Sequence, residues 1–104
     1  MGKSQRLKLQ AELVSILGSS NVYFQPPDNV VMKYPCIVYE KKDIDSKYAD
    51  GSRYLDFQSY DITVIDKDPD SEIAKSLLDH FRYIYYDRHY VVDNLNHDSL
   101  VITY

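Results

Sequence analysis

The sequence predicts an α+β fold, in which an antiparallel sheet carries a long β-hairpin and two helices packed on one of its faces. Two segments with helical apolar spacing predict the helices, and five segments rich in β-branched and aromatic residues predict the strands. The predicted order is α-β-β-β-α-β-β. Because helices and hairpin-linked strands are mixed without a regular βαβ repeat, this order favours α+β over a parallel α/β fold.

The size and composition indicate one globular domain that spans residues 1–104. The formal net charge of −4 argues against a domain that grips nucleic acid, because phosphate binding needs clustered Lys and Arg. The single cysteine excludes an internal disulfide, and no run approaches the ~20 apolar residues of a membrane span. The N-terminal residues also lack the apolar core of a secretion signal, so we expect a protein that is cytoplasmic when made.

The first helix is predicted over Ser4–Leu17, with Gly18 in the left-handed conformation at its end. Its apolar stripe consists of Leu9, Leu13, Ile16 and Leu17. A short strand, Asn21–Gln25, follows and ends at two prolines that cannot donate to a ladder. A β-hairpin then occupies Tyr34–Asp66, with a polar segment, Lys41–Arg53, as its solvated tip. We expect the hairpin to run past the core, or a bulge to switch its faces.

The second helix is predicted to begin at Asp68 as N-cap and Pro69 as first helical residue, and to end near Arg82. Its apolar stripe consists of Ile73, Leu77, Leu78 and Phe81. A tyrosine-rich strand, Tyr83–Val92, and a final strand, Ser99–Tyr104, flank a turn-rich segment. No repeat or linker divides the chain.

No motif predicts catalytic, metal-binding or cofactor-binding residues. A calcium loop counted from Asp43 would have Tyr48 in place of its glycine and Tyr54 in place of its glutamate. Asp93, His97 and Asp98 are weighed as metal ligands, but Asp and Asn in this segment are more typical of a turn. Cys36 lacks a nucleophile signature and is interpreted as a small core residue. We therefore expect a protein that is not an enzyme and binds no cofactor.

Tyrosine is unusually frequent, with 11 Tyr and no Trp. It is favoured where one end of a side chain is packed against the protein and the other end is exposed to water. Strand alternation predicts that Tyr86, Arg88 and Tyr90 share one face and form a candidate subunit interface. Ordinary tyrosines on a sheet surface remain the alternative. An RNA-stacking platform is disfavoured because the chain is acidic.

A resemblance to a known family rests on five segments taken as a set. The segments are Asn21–Pro27, Met32–Glu40, Tyr48–Asp50, Tyr60–Ser71 and Asp93–Asp98. Together they resemble a family of small tailed-bacteriophage proteins that are encoded among the head–tail joining and minor tail genes.

The α+β order further resembles the tail terminator proteins of this group. The resemblance implies a virion protein of the tail and neck, assembled in the host cytoplasm. It implies a homo-oligomer, a hexameric ring that caps the tail tube protein and receives the head-completion or connector protein. DNA would pass through the lumen without specific binding, and no membrane would be involved.

In such a ring, the polar hairpin tip would be a candidate lumen or docking loop. Its residues are Lys41, Lys42, Asp43, Asp45, Lys47, Tyr48, Asp50 and Arg53. Two other classes stay open. One is another neck component, a head-completion stopper or adaptor. The other is a small enzyme with a polar pocket around His97 or His89, or a nucleic-acid-binding domain.

Overall fold

The computed structural model describes the backbone of residues 3–49 and 52–104, and the side chains of residues 4–42 and 58–104. Two helices and five strands follow one another in the predicted order, α-β-β-β-α-β-β. The helices are α1 (Lys3–Leu17) and α2 (Ile73–His80). The strands are β1 (Val22–Phe24), β2 (Cys36–Ala49), β3 (Ser52–Asp66), β4 (Ile84–Val92) and β5 (Leu95–Thr103).

The strands form one sheet in the order β1-β2-β3-β5-β4. The three pairings that involve β3 and β5 are antiparallel, as predicted. The pairing of β1 with β2 is parallel, so the expectation of a purely antiparallel sheet is wrong at this edge. The reason is that residues 25–35 carry the chain back along the sheet before β2 begins, instead of turning it directly into a hairpin.

Both helices pack on the same face of the sheet, which confirms the predicted layer arrangement. Leu9 and Leu13 from α1 and Leu77 from α2 are fully buried in one core with the side chains of the sheet. The strand residues that complete this core are Val22, Ile37, Tyr39, Tyr60, Ile62, Val64, Leu100 and Ile102. In the described part of the chain, neither helix has the length and apolar composition that crossing a bilayer requires.

The end of α1 follows the sequence prediction. Gly18 has a φ of +81° and donates its N–H to the Val14 carbonyl at 2.9 Å, which satisfies one of the last free carbonyls of the helix. A residue with a side chain would be disfavoured in this left-handed conformation.

The hairpin strands β2 and β3 continue through the segment predicted as a solvated tip. Their pairing runs from Cys36 opposite Ile65 to Ala49 opposite Ser52, with register shifts between Lys41 and Ile44 and between Lys47 and Tyr48. The first shift inserts one residue into β2 and none into β3, so Tyr60 and Gln58 keep the same face and the expected switch of faces on β3 does not occur there. β1 pairs with β2 only as far as Tyr39, and β5 pairs with β3 only from Ser59. Beyond these points the described strands form a two-stranded ribbon.

Helix α2 begins four residues later than the sequence predicts. Asp66 and Asp68 each accept, through a side-chain oxygen, a hydrogen bond from the backbone N–H two residues on, at 3.0 and 2.9 Å. Asp68, the predicted N-cap, is thus used in a turn, since Asp side chains stabilise turns and helix starts by the same kind of bond. Glu72 takes the N-cap position without a side-chain cap.

The final hairpin is tighter than predicted, and β5 begins at Leu95 instead of Ser99. Asp93 and Asn94 have φ values of 52° and 62°. A two-residue type I′ turn needs positive φ at both central positions, and Asp and Asn tolerate it better than most residues. The turn thus needs only these two residues, and Leu95–Asp98 join the strand.

Candidate functional site

The candidate site is the exposed surface of β4, an edge strand of the sheet. Within the described residues, β4 is hydrogen-bonded to β5 on one side and to no strand on the other. Seven large apolar or aromatic side chains are well exposed in the described chain, and five lie on or beside this strand. They are Tyr83, Tyr85, Tyr86, Val91 and Val92, with exposed fractions of 41–61%. An exposed edge strand with large apolar or aromatic side chains toward both ends is open to pairing with another strand, and Asp87 and Arg88 lie at its centre.

A bulge in β4 changes the predicted grouping of its side chains. Tyr86 lies opposite Leu100, but Arg88 lies opposite Ser99, so Asp87 is an extra residue in the ladder. Leu100 points into the helix-covered core and Ser99 points to the other face. The prediction that Tyr86 shares a face with Arg88 and Tyr90 is therefore wrong, because one inserted residue reverses the alternation beyond it. Their role as a subunit interface stays a prediction.

On the helix side of the sheet, Asp98 organises a small polar cluster. Tyr86 donates its hydroxyl hydrogen to Asp98 Oδ1 at 2.6 Å, and His89 Nδ1 donates to the same oxygen at 2.9 Å. Partial burial, followed by the hydrogen bond to Asp98 and its negative charge, raises the pKa of Tyr86 to about 12. The cluster holds two β4 side chains against β5 and leaves the outer edge of β4 open.

On the opposite face, Tyr90 lies between two other side chains. The Arg88 guanidinium carbon is 5.1 Å from the centre of the Tyr90 ring, within cation–π range. The His97 ring stacks on Tyr90 with 4.8 Å between ring centres and 17° between ring planes. His97 Nδ1 also donates to the Leu95 carbonyl at 3.0 Å. Tyr90 and Arg88 therefore form part of an ordered aromatic and cationic surface.

The three residues weighed as metal ligands are not brought together. His97 pairs with Ile65 and Asp98 with Val64, so their side chains lie on opposite faces of β5. Asp93 lies in the turn before β5. No group of three potential ligand residues that could hold a metal ion occurs in the part of the chain that the structure describes.

A second polar feature, which the sequence did not predict, lies in a cleft of about 490 Å³ between α1, α2 and the end of the sheet. There the Glu12 carboxylate accepts hydrogen bonds from His80 Nε2 at 2.9 Å and from the Tyr104 hydroxyl. Partial burial and the contact with Glu12 raise the pKa of Tyr104 to about 12. Burial acts to raise the pKa of Glu12, but the bonds from Tyr104 and His80 outweigh it and lower the pKa.

This cleft contact ties both helices to the C-terminal end of the sheet. Sequence reasoning missed it because Glu12 and His80 are 68 positions apart and neither belongs to a motif. Lys8 and Arg82 also line the cleft. The side chains of Glu12 and His80 are 37% and 46% exposed, so this contact lies at the surface of the protein.

The candidate lumen or docking residues fall on the ribbon of β2 and β3. Lys41 and Lys42 are exposed, and Lys42 Nζ lies 3.9 Å from Asp61 Oδ1, at the long limit of an ion pair. Asp43, Asp45, Lys47, Tyr48 and Arg53 lie on the paired strands, with side chains outside the described set. Asp50 lies outside the described residues. The docking or lining role remains a prediction.

The interpretation of Cys36 as a core residue is confirmed, because the side chain is fully buried at the start of β2. Burial, and after it the negative charge of Asp66, raises the pKa of the thiol to about 11. A thiol this buried and this weakly acidic is a poor nucleophile at neutral pH.

No protein family model matches the chain, and no curated protein matches it.

Proposed function

We propose that this chain is a structural virion protein of a tailed phage, a tail terminator that forms a ring at the head-proximal end of the tail tube. The proposal starts from the resemblance of five sequence segments to small head–tail joining proteins. The observation that carries it is the open β4 edge, where most of the exposed large apolar side chains are concentrated. A surface of this kind fits assembly with other protein chains better than solution as a free monomer.

The ribbon of β2 and β3 is a second observation that supports a role in assembly. Its strands extend past the last residues that β1 and β5 cover, Tyr39 and Ser59. A two-stranded ribbon has little stability of its own, so a neighbouring chain is a natural support for it. In a closed ring each subunit offers two different surfaces to its neighbours, and the β4 edge and the ribbon are two such surfaces.

The described polar and nucleophilic residues are compatible with this structural role. Cys36 is buried, His97 and Asp98 lie on opposite faces of β5, and the Glu12 cleft is open to solvent. The chain is acidic, so DNA in a ring lumen would meet no strongly attractive surface.

Tail assembly in vitro tests the proposal. The purified protein is added to polymerising tail tube protein of the phage that encodes it, and tube lengths and tube ends are imaged by negative stain. A terminator shortens or arrests the tubes and appears as a ring at one end, with a mass about six times that of the chain once assembled. Tubes that grow unchanged and bear no ring at any protein concentration would contradict the terminator role.

The same purified protein can be used to distinguish a terminator from the other neck components. A stopper or adaptor would bind isolated head connectors and leave tube growth unaffected. An added head-binding assay therefore assigns the chain to a different ring of the neck if it binds connectors alone.

A further inference from the structure

We infer that the free protein pairs with a second copy of itself through antiparallel β4–β4 contact, with Asp87 of each chain opposite Arg88 of the other. This contact goes beyond the proposed ring function because it concerns the protein before assembly. The partner of the open β4 edge is then the same strand of a second copy. Three properties of β4 support this pairing: the direction of its free backbone groups, the position of its bulge, and its charges.

The hydrogen bonds to β5 decide which backbone groups of β4 are free. Thr103 donates its N–H to the Tyr83 carbonyl at 2.8 Å, which directs the polar groups of Tyr83, and of Tyr85 two residues on, toward β5. At the other end, the two-residue turn is closed by Val92 and Leu95, which also directs Val92 toward β5. The residues whose N–H and C=O groups face outward are then Ile84, Tyr86, His89 and Val91.

These outward residues pair with one another in a single well-matched register. When Asp87 lies opposite Arg88 of the second copy, every outward residue meets another outward residue, so the hydrogen-bonding groups of both edges face each other. The two kinds of pair are Ile84 with Val91 and Tyr86 with His89. Between them, Tyr85 lies opposite Tyr90 on the helix-free face.

The bulge makes this register compatible with two-fold symmetry. When two identical regular strands pair about a two-fold axis perpendicular to the sheet, opposed residues lie on the same face. Their sequence numbers then differ by an even number. The residue at the axis would then face its own copy, Asp87 against Asp87 or Arg88 against Arg88. The extra residue at Asp87 shifts the alternation by one position, so partners on the same face now differ by an odd number.

The charges favour the same arrangement. In the proposed register, the two acidic and two basic side chains at the centre form two opposite-charge pairs, and the flanking positions are aromatic or aliphatic. Shifting the strands by two residues in one direction places Arg88 opposite His89, and in the other direction places Asp87 opposite Tyr86. Opposite charges that face each other across strands stabilise the pair, and like charges weaken it.

The two-fold contact belongs to the unassembled protein. A ring that caps a tube has one face toward the tube and one toward the head, and a two-fold axis would make these faces equivalent. Pairing through β4 would therefore cover the apolar edge in solution and keep subunits out of rings until a tail is available. Release of the second copy then exposes β4 for assembly.

Charge reversal tests the register. Asp87→Arg places like charges opposite each other at both central pairs, whereas the double variant with Asp87→Arg and Arg88→Asp restores two opposite-charge pairs. The wild type is expected to have a dimer mass by light scattering, the single variant a dissociation constant raised about tenfold or more, and the double variant a recovered dimer. A matched double control, Asp28→Arg with Lys33→Asp, changes exposed charges in the segment between β1 and β2, at the opposite edge of the sheet from β4, and is expected to remain dimeric.

Cross-linking gives a readout that does not depend on charge reversal. Tyr85→Cys and Tyr90→Cys variants, mixed under mild oxidation, are expected to form a disulfide-linked mixed dimer, and neither variant alone is expected to form one. The native Cys36 is fully buried and serves as an internal negative control. A monomeric wild type at all concentrations, a dimer indifferent to Asp87→Arg, or cross-linking of Tyr85→Cys alone would each overturn the inference. Tube capping is measured in a separate assay. Absence of a dimer would therefore not contradict the proposed function, and absence of tube capping would not contradict the dimer.

Discussion

Glu12 and His80 join the two helices of this protein through a hydrogen bond of 2.9 Å, although 68 positions separate them in sequence. The same carboxylate accepts the Tyr104 hydroxyl after the last strand. One acidic side chain thus links α1, α2 and the end of the sheet on the layer that covers the core. The link is half exposed, which limits its strength and makes its pH dependence measurable.

Replacement of Glu12 by Gln is expected to lower stability at pH 7 by about 0.5–1 kcal/mol, the upper range for an exposed ionic contact. The folded-state pKa of Glu12 lies below its ordinary value of 4.5, so the unfolded chain binds the proton more readily. The stabilisation is therefore complete above pH 4.5 and is lost as the pH falls below it. Urea unfolding of wild type and variant from pH 7 to pH 3 should show the two curves converging. A constant gap across this range would contradict the assignment.

Tyr86 and Tyr104 are expected to ionise at a higher pH than ordinary tyrosines, with pKa values near 12. Because these pKa values are raised on folding, the stabilisation is present below pH 10 and is lost as the pH rises from 10 toward 12. Phenolate absorbance followed against pH should show a late phase, and Tyr86→Phe should remove part of it. Tyr104→Phe should remove a further part, because each variant lacks one of the two hydroxyls that donate to a carboxylate.

Leu77→Ala in α2 is expected to destabilise the fold by about 2–5 kcal/mol, because the side chain is fully buried among both helices and the sheet. The matched control is Leu7→Ala in α1, where the same substitution removes a side chain that is 48% exposed. The control should change stability by about 0.5 kcal/mol or less. Similar losses for both variants in chemical denaturation would contradict the packing of α2 against the sheet.

Asn94→Gly is expected to leave stability unchanged or to raise it by up to about 1 kcal/mol, since glycine adopts the positive φ of 62° without steric cost. Asn94→Val is expected to lower stability by about 1–2 kcal/mol because a β-branched residue is strained in this conformation. Thermal unfolding of the two variants beside wild type checks the order. A more stable valine variant would rule out the two-residue type I′ turn.

Local patterns in the sequence were sufficient for the element order and for the faces of most elements. The stripe of Leu9 and Leu13 and the alternation of Tyr60, Ile62 and Val64 predicted which side chains are buried. Periodicity carries this information because burial of an apolar face is the main driving force for a helix or strand of a small domain. The position of Gly18 at the end of α1 followed from the same kind of local rule.

The sequence by itself therefore determined an α+β chain with two amphipathic helices, a long hairpin and a buried cysteine. Only the tertiary structure decided the parallel pairing of β1 and the bulge that separates Tyr86 from Arg88 and Tyr90. It also decided the contact of Glu12 with His80. The physical reason is that alternation fails after one inserted residue, and strand pairing and cleft contacts depend on residues far apart in the chain. The open edge of β4, on which both proposals rest, became visible only once the order of strands in the sheet was known.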